Sequence, residues 1–204
     1  MVQDIFDIDD IGSLARKIIR EQGEIRLADL DVPTYNIPAD YDVSVFSFNP
    51  ADTRREFQEI RAAIEPICRQ AESMDYPGNL FTAFYEAVLN AYRHGNKRDA
   101  SKKVTVAHKI TTQLVEIAVI DEGGVIDSEL ISFVLRHREG RHKEGIVDFY
   151  RFTGRERPSD HNGTGTTFMH LYVDKVAYFK SETGGLVVHL TKYKNSATVT
   201  SPSP

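Results

Sequence analysis

From residue 49 onward the periodic segments come in the order helix, helix, strand, strand, helix, strand, strand, and that order limits what the chain can build. Asn49-Pro50-Ala51-Asp52 starts a long helix whose Phe57, Ile60, Ile64, Ile67 and Ala71 share one face. Pro77-Gly78-Asn79 breaks the chain, and a second helix runs from about Leu80 to His94. Two strands follow, KVTVAHKI (103–110) and LVEIAVID (114–121), joined by the short polar turn Thr111-Thr112-Gln113. Residues 128–136 read as helical, 137–162 are dense in charge, glycine and histidine, and a short helix extends from the glycine-threonine turn at 163–167 to about Asp174. VAYF (176–179) and LVVHLTKY (186–193), turned by Glu182-Thr183-Gly184-Gly185, close the pattern. The order predicts an α/β two-layer sandwich, with helices covering one face of a mixed, mainly antiparallel sheet. The regular alternation of a doubly wound sheet is missing, and so is a GxxxxGK(S/T) phosphate loop. A nucleotide, if bound, is bound by another design.

Upstream, IGSLARKIIREQG (11–23) places Ile11, Leu14, Ala15, Ile18 and Ile19 at helical spacing, and 31–43 read as an extended connector with Pro33 and Pro38. The expected division is an arm over 1–41, a compact domain over 42–194 opening with the strand VSVFSF (43–48), and a disordered tail over 195–204. With 204 residues, 41% of them apolar, the chain can bury one respectable core. A formal charge of -5 offers no basic field for nucleic acid and suits protein partners or small ligands. The single cysteine, Cys68, excludes an internal disulfide, reads as a core residue, and points to a reducing cytoplasm. The acidic start MVQDIFDIDD does not look like a signal peptide, and no apolar run reaches the 18 or so residues of a membrane span, so a soluble intracellular protein is expected.

Three motifs carry chemistry. Glu86, Asn90 and His94 recur at i, i+4 and i+8, lining one side of the second helix while Phe84, Val88 and Ala91 face the core. A carboxylate and an amide one turn apart supply the oxygen donors that magnesium prefers. Asp121-Glu122-Gly123 ends an apolar strand, where a carboxylate can accept from an exocyclic amine and a glycine lets a flat ring approach. Gly163-Thr164-Gly165-Thr166-Thr167 leads into a helix, and the backbone N–H groups of such a turn make an anion site. Taken singly, each also fits a plainer reading: a solvated helix face, a strand-ending turn, a flexible loop with a threonine cap.

Jointly, ExxxN on a helix, DxG after a strand and a GTGTT turn into a helix resemble the N, G1 and G2 boxes of the GHKL ATPases. FYEAVLNAYRHG and GTGTTFMHLYVDKV, the latter with Met169, Asp174 and Val176, are similar to segments of the anti-sigma factor/serine-protein kinases of the RsbW and SpoIIAB type. The likeness spans about residues 42–193 and implies a Bergerat-type ATP-binding fold. It further implies that Asn90 holds magnesium on the phosphates of ATP and that Glu86 orients or deprotonates a protein serine. Asp121 would bind the adenine amino group with Gly123 giving clearance. Gly163, Thr164, Gly165, Thr166 and Thr167 would wrap the phosphates beside His94. Residues 137–162 would form an ATP lid, with Arg138, Arg141, Arg151, Arg155 or Arg157 reaching the γ-phosphate. The implied function is a serine/threonine-protein kinase that sequesters a sigma factor and releases it to a STAS-domain anti-anti-sigma partner, commonly as a homodimer.

The chain departs from this pattern at Val125, which replaces the second glycine of DxGxG, and at Leu186 and Val187, where a threonine helps to hold adenine. These departures motivate an alternative, a non-catalytic partner-binding module with weak or no nucleotide binding. The ATP-binding end of a histidine kinase is disfavoured, because the first histidine is His94 and no acceptor histidine precedes it. His137, His142 and His161 raise zinc, but solvated lid residues are the expected reading.

Overall fold

The computed structural model describes residues 23–30, 34–140 and 145–194. The expected helix over 11–23 lies outside them except for Gly23, as do Pro33, Arg141, His142 and the tail. The described chain opens with β1 (Glu24–Arg26), which pairs antiparallel with β6 (Val125–Asp127) as a small separate sheet. The main sheet has six strands in the order β2 (Thr34–Tyr35), β7 (Lys175–Ser181), β8 (Leu186–Tyr193), β5 (Leu114–Ile120), β4 (Val104–Ile110) and β3 (Asp42–Phe46). Every neighbouring pair is antiparallel except β2 with β7. The sheet is therefore mixed and mainly antiparallel, as the order of segments predicts.

Alternation along β5 shows how the two faces are used. Val115, Ile117 and Val119 point into the main core under the helices, while Ala118 and Ile120 join a second cluster with Tyr35, Ala107, Ala177, Phe179 and Val187 on the opposite face. Burial on both faces explains why β5 and β8 read as nearly continuous apolar runs. The second face is crossed by the chain itself. β2 and β3 sit on opposite edges, five strand spacings or about 24 Å apart. Residues 36–41 join them, closing a turn in which the Tyr41 amide donates to the Pro38 carbonyl at 3.1 Å. Along the way Tyr41 packs on the second cluster, and Asp40 pairs with Lys109 at 2.6 Å.

The helices lie on the main-core face. α1 (Thr53–Ser73) is capped by Asp52, whose carboxylate accepts from the Arg55 amide at 2.8 Å, and it buries Ile60, Ile64, Ile67, Cys68 and Ala71. α2 (Leu80–Asn90) is buried through Leu80, Ala83, Phe84, Ala87 and Val88, then widens into a π-turn over Ala91–Gly95. α3 (Ser128–Arg138) and the short α4 (Phe149–Thr153) follow β6, and α5 (Gly165–Tyr172) packs against α2. Among the described residues no helix is long and apolar enough to cross a membrane.

Three expectations change. Residues 24–26 and 34–35, read from sequence as part of an arm, supply strands to the two sheets, and Ile25, Leu27 and Leu30 are buried in the main core. Phe57, placed with the apolar stripe of α1, is 42% exposed because it borders a cavity rather than the core; its ring leans on Tyr85, with centroids 5.3 Å apart. His137 is buried rather than solvated, with Nδ1 2.6 Å from the Phe133 carbonyl and Nε2 3.0 Å from the Thr167 hydroxyl.

Candidate functional site

Where β5 ends, α2 ends and α5 begins, the fold leaves a cavity of about 460 Å³. Glu86, Asn90 and His94 line it from α2 and its π-turn, Asp121 from the end of β5, and Gly163, Thr164, Gly165 and Thr166 from the loop into α5. Gly123 and Thr167, expected at the site from sequence, are not among the residues that line it.

Asp121 is only 3% exposed. Its Oδ1 accepts from the amides of Gly123 at 2.8 Å and Leu186 at 3.1 Å. Burial pushes its carboxyl up to about 6, against the lowering effect of those two amides. The backbone closes around it tightly. A Cβ on Gly185 would collide with the Asp121 carbonyl, one on Gly95 with the Asp121 carboxylate, and one on Gly123 with the Gly95 carbonyl. Gly123 thus provides clearance first for the end of the α2 π-turn. Asn96 ties the same junction together, donating to the Lys103 carbonyl at 2.9 Å and accepting from the Glu122 amide at 2.8 Å. A Gly185→Ala substitution is expected to destabilise the protein by about 3 kcal/mol or more in urea unfolding, because the obstructing atom is backbone and cannot swing aside.

Glu86 faces the start of α5 so closely that a Cβ on Gly165 would sit 2.5 Å from Oε2 and 3.6 Å from the Asn90 amide nitrogen. Desolvation raises the Glu86 carboxyl above its usual range, partly offset by Arg93. An acid, an amide and a helix N-terminus thereby share one corner of the cavity.

The family described as histidine kinase-like ATPase domain matches residues 50–192, well over half of the chain. This chain belongs to that family. No curated protein matches it. Membership supports ATP binding and, in general terms, ATP-dependent phosphotransfer.

In this histidine kinase-like ATPase domain Arg93, His94 and His161 all line the cavity, the two histidine rings 5.3 Å apart. Desolvation first, then His161, Arg93 and Arg98, holds the His94 imidazole well below its usual range, so it is neutral at pH 7. Glu24, Asp121 and Asp127 line the cavity as well.

Among the described residues, none of the arginines expected in a lid, Arg138, Arg151, Arg155 and Arg157, lines the cavity. Arg138 donates to the Val176 carbonyl at 3.1 Å, Arg155 pairs with Asp127 at 2.6 Å and also with Glu129, and Arg157 pairs with Asp148 at 2.7 Å. Arg151 is exposed. Arg93, one turn beyond Asn90, is the described arginine that does line it, a residue that the lid-centred reading passed over. Its Nε donates to Glu56 at 2.9 Å and its Nη1 to the Asp160 carbonyl at 2.8 Å, while Arg98 pairs with both Glu56 and Asp160. The only sequence signal for Arg93 was its i+3 spacing from Asn90; Glu56, forty residues upstream of Asn96, gave none. Glu56→Ala is expected to cost about 3–5 kcal/mol by leaving Arg93 buried without its counter-charge. The double variant Glu56→Gln/Arg93→Gln should cost clearly less in the same thermal unfolding series.

The segment before α5 returns to the cavity through Gly163, at φ +70, whose carbonyl accepts from the Phe149 amide at 2.7 Å. Thr167 turns away from the cavity toward His137 and the Val147 carbonyl. His161 also lines the cavity, unlike the solvated lid residue expected. Among the described residues no group of three or more His, Cys, Asp or Glu is placed to hold a metal ion by itself.

Proposed function

We propose that this domain is a serine/threonine-protein kinase that binds Mg·ATP in the cavity. Its acceptor would be a STAS-domain anti-anti-sigma partner, and the same domain would sequester a sigma factor until that partner displaces it. The observation that carries the reading is the meeting of Glu86, Asn90, Asp121 and the Gly163–Thr166 turn around one cavity.

Asp121 has one carboxylate oxygen engaged by two amides, which leaves Oδ2 as acceptor for the adenine amino group. The turn from Gly163 to Thr166 and the N-terminus of α5 offer N–H and hydroxyl donors to the phosphates. Asn90 presents its amide oxygen beside that turn, where it would hold magnesium completed by phosphate oxygens and water. Bound magnesium would neutralise charge on the β- and γ-phosphates. Arg93 is the cation best placed to meet the γ-phosphate.

Glu86 takes the acceptor's proton: as the serine oxygen bonds to the γ-phosphorus, the bond from that phosphorus to the bridging oxygen breaks and ADP leaves. Positioning and charge neutralisation account for most of such a transfer.

Incubation with γ-labelled ATP, magnesium and the STAS partner tests this. Label is expected on a partner serine or threonine, and none on the kinase's own histidines. Tight ATP binding with no transfer would favour the non-catalytic module that Val125, in place of the second glycine, suggests.

A further inference from the structure

The described residues before position 50 lie outside the family match, yet one of them lines the nucleotide cavity. That residue is Glu24, on β1. Pairing of Glu24 with Asp127, Ile25 with Ile126 and Arg26 with Val125 holds β1 against the segment that follows the Asp121 turn. The ladder is closed at both ends. The Ser128 amide donates to the Gly23 carbonyl and the Leu27 amide to the Gly124 carbonyl, each at 2.9 Å. Ile25 and Leu27, buried in the main core, pin the strand from its other side. Backbone and core together fix where Glu24 stands, and Lys97 pairs with its carboxylate at 2.8 Å.

The charges around the cavity then decide which part of a nucleotide Glu24 can meet. Phosphates belong with Arg93, the Gly163–Thr166 turn and the start of α5. A carboxylate repels phosphate and accepts from hydroxyl or amine donors. Asp121 is set to take the adenine amine, and both oxygens of Asp127 are held by Arg155, one of them also by the Glu129 amide, whereas the Glu24 carboxylate meets one exposed lysine, Lys97. The donors left on a nucleoside triphosphate are the sugar hydroxyls. We propose that Glu24 is a binding residue that accepts hydrogen bonds from the ribose hydroxyls of the bound nucleotide, so that this N-terminal strand gives the site a preference for ribonucleotides. The inference rests on the ATP-binding reading of the cavity.

Calorimetric titration of the full chain with ATP, 2′-deoxy-ATP and 3′-deoxy-ATP tests it. The wild-type chain is expected to bind ATP about ten- to a hundred-fold more tightly than at least one deoxy analogue, the range for a hydrogen bond to a charged group. In Glu24→Ala that ratio should shrink to about two-fold or less, chiefly through weaker ATP binding. Lys97→Met removes the ion pair but keeps the carboxylate, and should retain the preference. ATP bound with no discrimination by the wild-type chain, or with discrimination unchanged in Glu24→Ala, overturns this inference alone. Loss of the preference in Lys97→Met as well assigns it to the ion pair and also overturns it. A wild-type chain that binds none of the three nucleotides overturns the proposed function along with it.

Discussion

Glu86→Gln is expected to slow phosphotransfer by about 10²–10⁴-fold while leaving ATP affinity within a few-fold. Glutamine has the shape of glutamate, so it fits beneath Gly165, where the carboxylate now comes close to the start of α5. What it loses is the ability to take a proton from the acceptor hydroxyl. Desolvation raises the Glu86 carboxyl above its usual range, and Arg93 pulls it back. The wild-type transfer rate should therefore climb with pH as Glu86 ionises, and that limb should vanish in the glutamine variant. Single-turnover transfer across a pH series, beside calorimetric ATP affinities, separates the two effects. A variant that transfers at the wild-type rate would remove Glu86 from the chemistry.

Asp121→Asn should have opposite effects on binding and on folding. Asparagine can keep accepting from the Gly123 and Leu186 amides through Oδ1. Its amide nitrogen, however, would face the adenine amino group donor to donor. ATP affinity is expected to fall by about a hundred-fold or more, since a charged hydrogen bond is lost and a donor is left unmatched. The nucleotide-free protein should gain stability at the same time. The folded carboxyl stands at about 6, above its unfolded value, so the stability tied to its protonated form is complete at low pH. That stability is lost as pH rises from about 4 through about 6, when the buried group must ionise. Asparagine never ionises, so the variant should be more stable at pH 7.5 by up to about 3 kcal/mol, with the gain fading toward pH 4. Denaturant unfolding at the two pH values measures this. In the wild-type chain, ATP binding should weaken below about pH 6 as Asp121 protonates. Equal stability of variant and wild type at both pH values would mean that Asp121 is ionised at little cost.

The helices and strands were legible because their periods are long and their breaks are chemically plain. α1 announces itself through Asp52 as a cap and Ile60, Ile64 and Ile67 at helical spacing, and the β4–β5 hairpin through two apolar runs on either side of three polar residues. β1 and β6 carry no such signal. Three residues make no period, and their pairing joins positions about a hundred apart. His137 misled for a related reason: its charged neighbours suggested solvent, but helix direction turns its ring inward to Phe133 and Thr167.

By itself the amino-acid order determined which groups are available: an acid and an amide one helical turn apart, a strand-ending aspartate, and a glycine-threonine turn before a helix. Local spacing suffices for that, because a helix or a strand end presents its own residues whatever lies around it. Only the tertiary structure decided which groups share a cavity and in what electrical state. Arg93 rather than a lid arginine lines the cavity, Gly123 makes room for Gly95, and Glu24 arrives from outside the family domain. These are long-range contacts. Desolvation, ion pairing and close backbone approach depend on what packs nearby in space, and the linear order does not record that.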